Sequence, residues 1–252
     1  MMLPLDSYTI RARLGPALLA IVPAIALAAA TISWSKLSLP DAIITVGIVV
    51  IFFLFADVAR RLGKRSEKRI FASSGGRPPL RQLRHDDPTF SKVERTRYRG
   101  LLTTLIGTEA PSDRKETANA AAADAYYSMA GNWLREHTRD KSRFRILFEE
   151  NVTYGFRRNL YGIKWPALGL NLVVVALCVA YFWANSYAPA LVPHVAMVLV
   201  FAIIHAVLFV FVVNRQSVVN ASDDYGRQLF LCLETLGEAT AGVPAADEAG
   251  AD

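Results

Sequence analysis

The chain has 252 residues, 53% of them hydrophobic, with 28 Lys and Arg against 22 Asp and Glu and only two cysteines. That composition admits a soluble domain with a large core or a small membrane protein, and two scattered cysteines exclude a cysteine-based zinc site. Clustering of the apolar residues decides between the two classes: 15–35, 42–56 and 165–193 carry no charge, and 195–213 is an apolar run after His194. A membrane-spanning helix needs about 20 mostly apolar residues, so these blocks predict four transmembrane helices.

The first block follows Arg11 and Arg13 and carries ALAAA near its end, as a secretory signal would. A signal core runs only about 7–15 residues, however, and a second apolar block follows after a short loop, so the block is read as a span. The second block ends at Asp57, but the basic run RRLGKRSEKR continues at helical propensity until SSGGRPP at 73–79, which predicts one long helix leaving the membrane. Asp57 stands three and four residues before Arg60 and Arg61, where opposite charges meet on a helix surface, and is read as part of a pair at headgroup level.

Beyond the Gly/Pro linker, Asp87 as cap, Pro88 at the first position and Gly107 as the stop predict a helix. A second is predicted over 113–138 with Asp113 and Glu116 as a capping box, and a third over 141–163 capped by Asp140. On the third, Phe144, Phe148, Val152, Phe156 and Leu160 recur every four residues as an apolar packing stripe. Asn151, Gly155 and Asn159 form a small, amide-bearing stripe where another helix can approach closely and exchange hydrogen bonds. Arg157, Arg158 and Lys164 follow in the last turns, at the height of anionic headgroups, where each basic residue is worth about 1 kcal/mol. This helix reads as a stalk coupling a cytoplasmic insert to the third span, with Phe148, Asn151, Gly155, Phe156 and Asn159 as its coupling residues.

After the fourth span, Val218, Tyr225, Leu229, Leu233 and Leu236 recur at near-helical spacing. They predict an amphipathic helix that packs on the insert, followed by a small, acidic, disordered end. The expected fold is therefore an all-α membrane protein: four transmembrane helices as two hairpins, a helical insert between them and a C-terminal amphipathic helix. Its segments are a cytoplasmic N-terminus (1–14), spans 1 and 2 (15–59), a basic helical domain (60–163), spans 3 and 4 (164–213), a cytoplasmic helix (214–238) and a disordered tail (239–252). Of the 28 basic residues, 23 lie between 57 and 164 and none in the loop 185–194. Basic loops stay in the cytoplasm, so both termini and the insert are expected there, with the protein multi-pass in a bacterial inner membrane.

No P-loop, GxGxxG, HExxH, GxSxG or paired CxxC occurs. Catalytic, cofactor and metal residues are accordingly not assigned, and no enzyme activity is expected. His85 lies beside two acids in RHDD, but capping explains Asp87 better than catalysis does. Cys178 and Cys232 are placed most of a membrane apart and read as small packed hydrophobes. His205 stands at the middle of the fourth span, where an ionisable group is expensive and functional by default. Asn171, six residues into the third span, lies within its reach. The pair is read as a lock between two helices, with a pore or gating role as the alternative. The insert's net charge of +10 is assigned to the bilayer surface in preference to nucleic acid. A small anion such as a nucleotide second messenger is a further partner, with Arg135, Arg139, Arg157 and Arg158 as its candidate contacts.

The layout resembles that of the four-transmembrane effectors of bacterial nucleotide-signalling antiphage systems, the SMODS-associated four-transmembrane family. The resemblance runs over GPALLAIVPAIALAAATISW, AIITVGIVVIFFLFADVARR, the insert ending in FEENVTYGFRRNLYGIKWP, and VAMVLVFAIIHAVLFVFVVNRQ. It is architectural, so no site residue follows from it. It implies a protein that forms a homo-oligomer and a pore, or otherwise perturbs the membrane, when a second messenger or a neighbouring signalling protein reaches its cytoplasmic part, arresting growth of infected cells. A non-enzymatic membrane scaffold or sensor has the same topology. A lipid-acting enzyme would need clustered acids or nucleophiles at the interface.

Overall fold

A computed structural model of the chain describes residues 6–32, 39–72, 76–77, 81–184 and 189–241. Among these residues every long element is an α-helix, and four helices are long and apolar enough to cross a membrane. The linker read at 73–79 and the turns after the first and third spans lie largely outside the described residues.

The first helix, α1 (Ser7–Thr31), starts well before the uncharged block. Asp6 accounts for this, because its carboxylate accepts the Thr9 N–H at 2.9 Å and caps the first turn. Arg11 and Arg13 are thereby drawn into the helix, so the expected N-terminal segment is helical from Ser7. A π-helical turn at Ile10–Leu14 widens it just before Gly15. The second helix, α2 (Leu39–Ala72), runs unbroken from the apolar block through the basic run, and Asp57 pairs with Arg61 at 2.8 Å, both exposed.

The next helix, α3 (Lys92–Ile106), corrects the sequence reading at its start. Ser91 caps it, with a full capping box to Glu94. Asp87 is used elsewhere: its carboxylate accepts the Thr89 N–H at 2.9 Å and meets Arg81 at 3.0 Å. The stop at Gly107 is as expected, with φ at +71° in the left-handed region that glycine tolerates. The 113–138 helix is two helices, α4 (Asp113–Ala118) and α5 (Ala120–His137). Asn119 leaves helical geometry between them and caps α5, its side chain accepting the Ala122 N–H at 3.0 Å. Ser112, not Asp113, caps α4, and Glu116 is buried in an ion pair instead of completing a box. Asp140 closes a turn by accepting the Ser142 N–H at 2.8 Å, and α6 (Arg145–Gly162) follows. The two remaining apolar helices are α7 (Lys164–Trp183) and α8 (Val192–Phe211). The last helix, α9 (Arg215–Ala241), extends three residues past the expected 238, and the rest of the expected tail, 242–252, lies outside the described residues.

The chain divides into two compact units, one of 1–70 with 152–221 and one of 71–151 with 222–252. The first holds the four apolar helices. Its core sits where α1, α7 and α8 meet, with Ala20, Ala167, Val174, Cys178, Val198, Ala202 and Phe209 buried. Small residues dominate, which lets helix backbones approach as they do in membranes. Leu172, Ile203, Phe211 and, on α2, Ile43, Val46 and Phe53 stay exposed, a surface suited to lipid.

The second unit has a conventional core of Leu83, Phe90, Tyr98, Leu102, Tyr127, Leu134, Leu229, Phe230 and Leu233. A polar cluster is built into it. The Arg99 guanidinium donates to Glu116 Oε1 at 2.9 Å, to the Leu83 carbonyl at 2.8 Å and to the Pro111 carbonyl. Tyr127 donates to the same Glu116 oxygen at 2.5 Å, and the His85 N–H to the other at 3.0 Å. Burial opposes the Glu116 charge, but the bonds from Tyr127, Arg99 and His85 outweigh it and hold the carboxyl below the usual carboxylate range. Cys178 and Cys232 are both free and buried, and burial pushes the Cys232 thiol up to about 11.

Candidate intramembrane site and coupling helix

The fourth apolar helix carries His205 on its buried face, in the row Val198, Ala202, His205, Phe209 that faces the other helices. The imidazole lies on the Phe209 ring with centroids 4.3 Å apart, and Nε2 is 2.9 Å from the Leu19 carbonyl of α1. A carbonyl only accepts, so Nε2 carries the proton, and in the neutral ring Nδ1 is left as an acceptor. Nδ1 is buried and has no hydrogen-bond partner among the described residues.

Asn171 of α7 is also buried, and its Nδ2 donates to the Ala202 carbonyl of α8 at 2.9 Å. Its Oδ1 is a second buried acceptor with no partner among the described residues. Each side chain thus ties its own helix to the backbone of another, His205 joining α8 to α1 and Asn171 joining α7 to α8. The expected His205 to Asn171 bond is replaced by these two carbonyl contacts. Each unbonded buried acceptor costs about 1–3 kcal/mol of desolvation.

The coupling residues divide between tight and loose packing. Asn159 is buried and its Nδ2 donates to the Ala12 carbonyl at 2.7 Å. Gly155 is closely packed, since a Cβ there would lie 2.7 Å from the Tyr8 hydroxyl and 3.1 Å from the Ala12 methyl and the tyrosine ring would have to shift. Asn151, Phe148 and Phe156 are only half-buried, the Phe148 ring lying 5.0 Å from the Lys141 ammonium. The amide-bearing stripe is therefore the closer interface at its C-terminal end. Of the aromatic stripe, Phe144 and Val152 are the buried members.

The candidate anion contacts are engaged within the protein. Arg157 donates to the Ser217 hydroxyl at 2.7 Å, and Arg158 pairs with Glu67 at 2.9 Å in a largely buried bridge. Arg139 pairs with Glu136 at 2.8 Å, and Arg135 donates to Asn132. Burial pushes the Arg135 guanidinium below its ordinary value.

Two features escaped the sequence reading. One is the crossing of α2 and α6 at Gly63 and Gly162, so close that a Cβ on Gly162 would lie 2.3 Å from the Gly63 nitrogen. The other is the bonding of Lys164, read from the sequence only as a headgroup-level cation: its ammonium donates to the Val210 carbonyl at 2.9 Å and the Val213 carbonyl at 2.8 Å, at and just past the end of α8. Gly63 and Gly162 are visible as glycines inside helical patterns, which signals close approach without saying to what. Among the described residues no three His, Cys, Asp or Glu side chains converge as a metal site would require. Compared with known proteins, the chain matches no family model, no curated protein and no solved structure.

Proposed function

We propose that the chain is an integral inner-membrane effector of antiphage defence. It oligomerises to form a pore or to perturb the membrane when its cytoplasmic part is triggered by a nucleotide second messenger or a neighbouring signalling protein. The observation that supports this reading is the pair of buried acceptors, His205 Nδ1 and Asn171 Oδ1, that find no partner among the described residues inside a bundle of apolar helices. Acceptors of this kind raise the free energy of a dry, closed bundle relative to one that admits water, because water donates to both. The bundle then has an opened state within reach, and a ligand with higher affinity for that state shifts the population toward it. In this reading the spans form two hairpins with both termini and the basic insert in the cytoplasm, α9 acts as an amphipathic helix on the insert, and α6 carries the trigger because it leads directly into α7. The charge distribution along the chain supports that orientation.

His205→Leu tests the proposal, since leucine suits lipid and leaves insertion intact. Cells expressing matched amounts of wild type and variant, with the activating signal present, are compared with a membrane-potential dye. Wild type is expected to depolarise the inner membrane and stop growth, and the variant to change the size of the leak. Absence of depolarisation with both proteins would replace the pore by a non-enzymatic scaffold or sensor. One observation favours that second reading: His205 and Asn171 already tie three helices together through Leu19 and Ala202, as a static lock would.

A further inference from the structure

Helix α2 and the start of α7 border a cleft of about 330 Å³, lined by Arg65, Ser66, Arg69, Tyr161, Lys164 and Trp165 among others. Its charge is one-sided. Arg65 and Arg69 stand four residues apart on one exposed face of α2, and neither side chain has an ion pair or hydrogen bond among the described residues. No acid lines the cleft, and Glu67, which lies between the two arginines in sequence, is buried and paired with Arg158. Like charges at this spacing oppose each other on a helix unless an anion lies between them. Lys164 adds a third cation, held in place by its bonds to the Val210 and Val213 carbonyls.

The position of the cleft narrows the ligand. Trp165 is 76% exposed beside Lys164 at the first turn of α7, and Trp with Lys at the start of an apolar helix marks the membrane interface. On α2 the same level is the basic stretch that follows the apolar block. Arginine forks match the paired oxygens of a phosphate, and the Ser66 hydroxyl and Trp165 indole offer further donors beside them. Leu62, Ile70 and Pro166 supply apolar wall that a glycerol backbone can cover.

We propose that this cleft binds a phosphate oxyanion and that its source is the headgroup of an anionic phospholipid, clamped between Arg65 and Arg69 with Lys164 behind them. The site does not depend on pore formation. A scaffold with the same helices would hold the same lipid.

The test uses the full chain in nanodiscs of phosphatidylcholine doped with phosphatidylglycerol, with native mass spectrometry counting the anionic lipids that remain bound. Wild type is expected to retain phosphatidylglycerol selectively. The double variant R65Q/R69Q is expected to lose about tenfold in that selectivity. K64Q/K68Q removes the same charge from the same helix outside the cleft and is expected to stay within about twofold of wild type. Equal loss in the two double variants would overturn the site in favour of diffuse surface charge. Retention without selectivity in wild type would overturn it outright. Inorganic phosphate titrated against wild type in the phosphatidylglycerol-doped nanodiscs distinguishes the source: saturable binding that displaces phosphatidylglycerol would overturn the lipid assignment. Should the double variant fail to fold, Arg69→Gln alone, at an exposed position, is expected to lose about threefold, and an unchanged value would sink the proposal.

Discussion

A methyl group at Gly162 would meet the backbone of Gly63 at 2.3–2.6 Å, and backbone cannot swing aside as a side chain can. Gly162→Ala is therefore expected to destabilise the fold at the upper end of the 1–3 kcal/mol typical of overpacking, read as a lowered thermal midpoint of the detergent-purified protein. Gly169→Ala, on a helix face with nothing within 4 Å, is expected to leave the midpoint unchanged or slightly raised. A similar effect at both positions would mean that α2 and α6 do not cross there. His205 and Asn171 were legible as polar residues in apolar runs, because burial inside a membrane bundle is costly for both. Their partners were not, since both bond to main-chain carbonyls, and every residue of every helix offers one. Asn159 is similar: the stripe at four-residue spacing marked its face, but only the structure shows the Ala12 carbonyl it meets.

Helix ends illustrate how two valid signals compete. Asp87 with Pro88 and Ser91 with Glu94 both spell a helix start four residues apart, and the second prevails because the Asp87 carboxylate is taken by Thr89 and Arg81. Glu116 has the spacing of a capping residue after Asp113, yet its partner is Arg99, seventeen positions away, which local pattern cannot reveal. A pH dependence follows from this ion pair. The folded pKa of Glu116 lies below its unfolded value, so its contribution to stability is full above the unfolded value, near 4.5, and is lost as pH falls through the folded one. Glu116→Gln is expected to remove that acid-side loss, so that the stabilities of wild type and variant, followed by near-ultraviolet circular dichroism from pH 7 downward, approach each other as pH falls below 4.5. At neutral pH the variant is expected to be less stable, by as much as the 3–5 kcal/mol of a broken buried pair. Parallel curves at all pH values would mean that Glu116 is not ionised in the fold.

At the scale of the molecule, the four apolar helices were legible because uncharged runs of 15 to 29 residues leave few alternatives, and the helical insert because helix caps and four-residue spacings recur along it. The boundaries between the two units at 151 and 221 were not, because they fall inside α6 and α9 with no linker to mark them. Orientation is checked by reporter fusions. A cytoplasmic reporter is expected to be active after Gly107 and after Asp252, and an external one when inserted in the loop 185–194, whereas an external signal at Gly107 would invert the scheme. The bonds from Lys164 to Val210 and Val213 limit how this bundle can move. They tie the first residue of α7 to the last turn of α8 and to Val213 just past it, so sliding either helix along its length, like a piston, strains both bonds together. Splaying the two helices at the far end would break neither. Such splaying would instead have to break the Asn171 bond to the Ala202 carbonyl, so the two helices are joined at two heights, at the start of α7 and seven residues further along it.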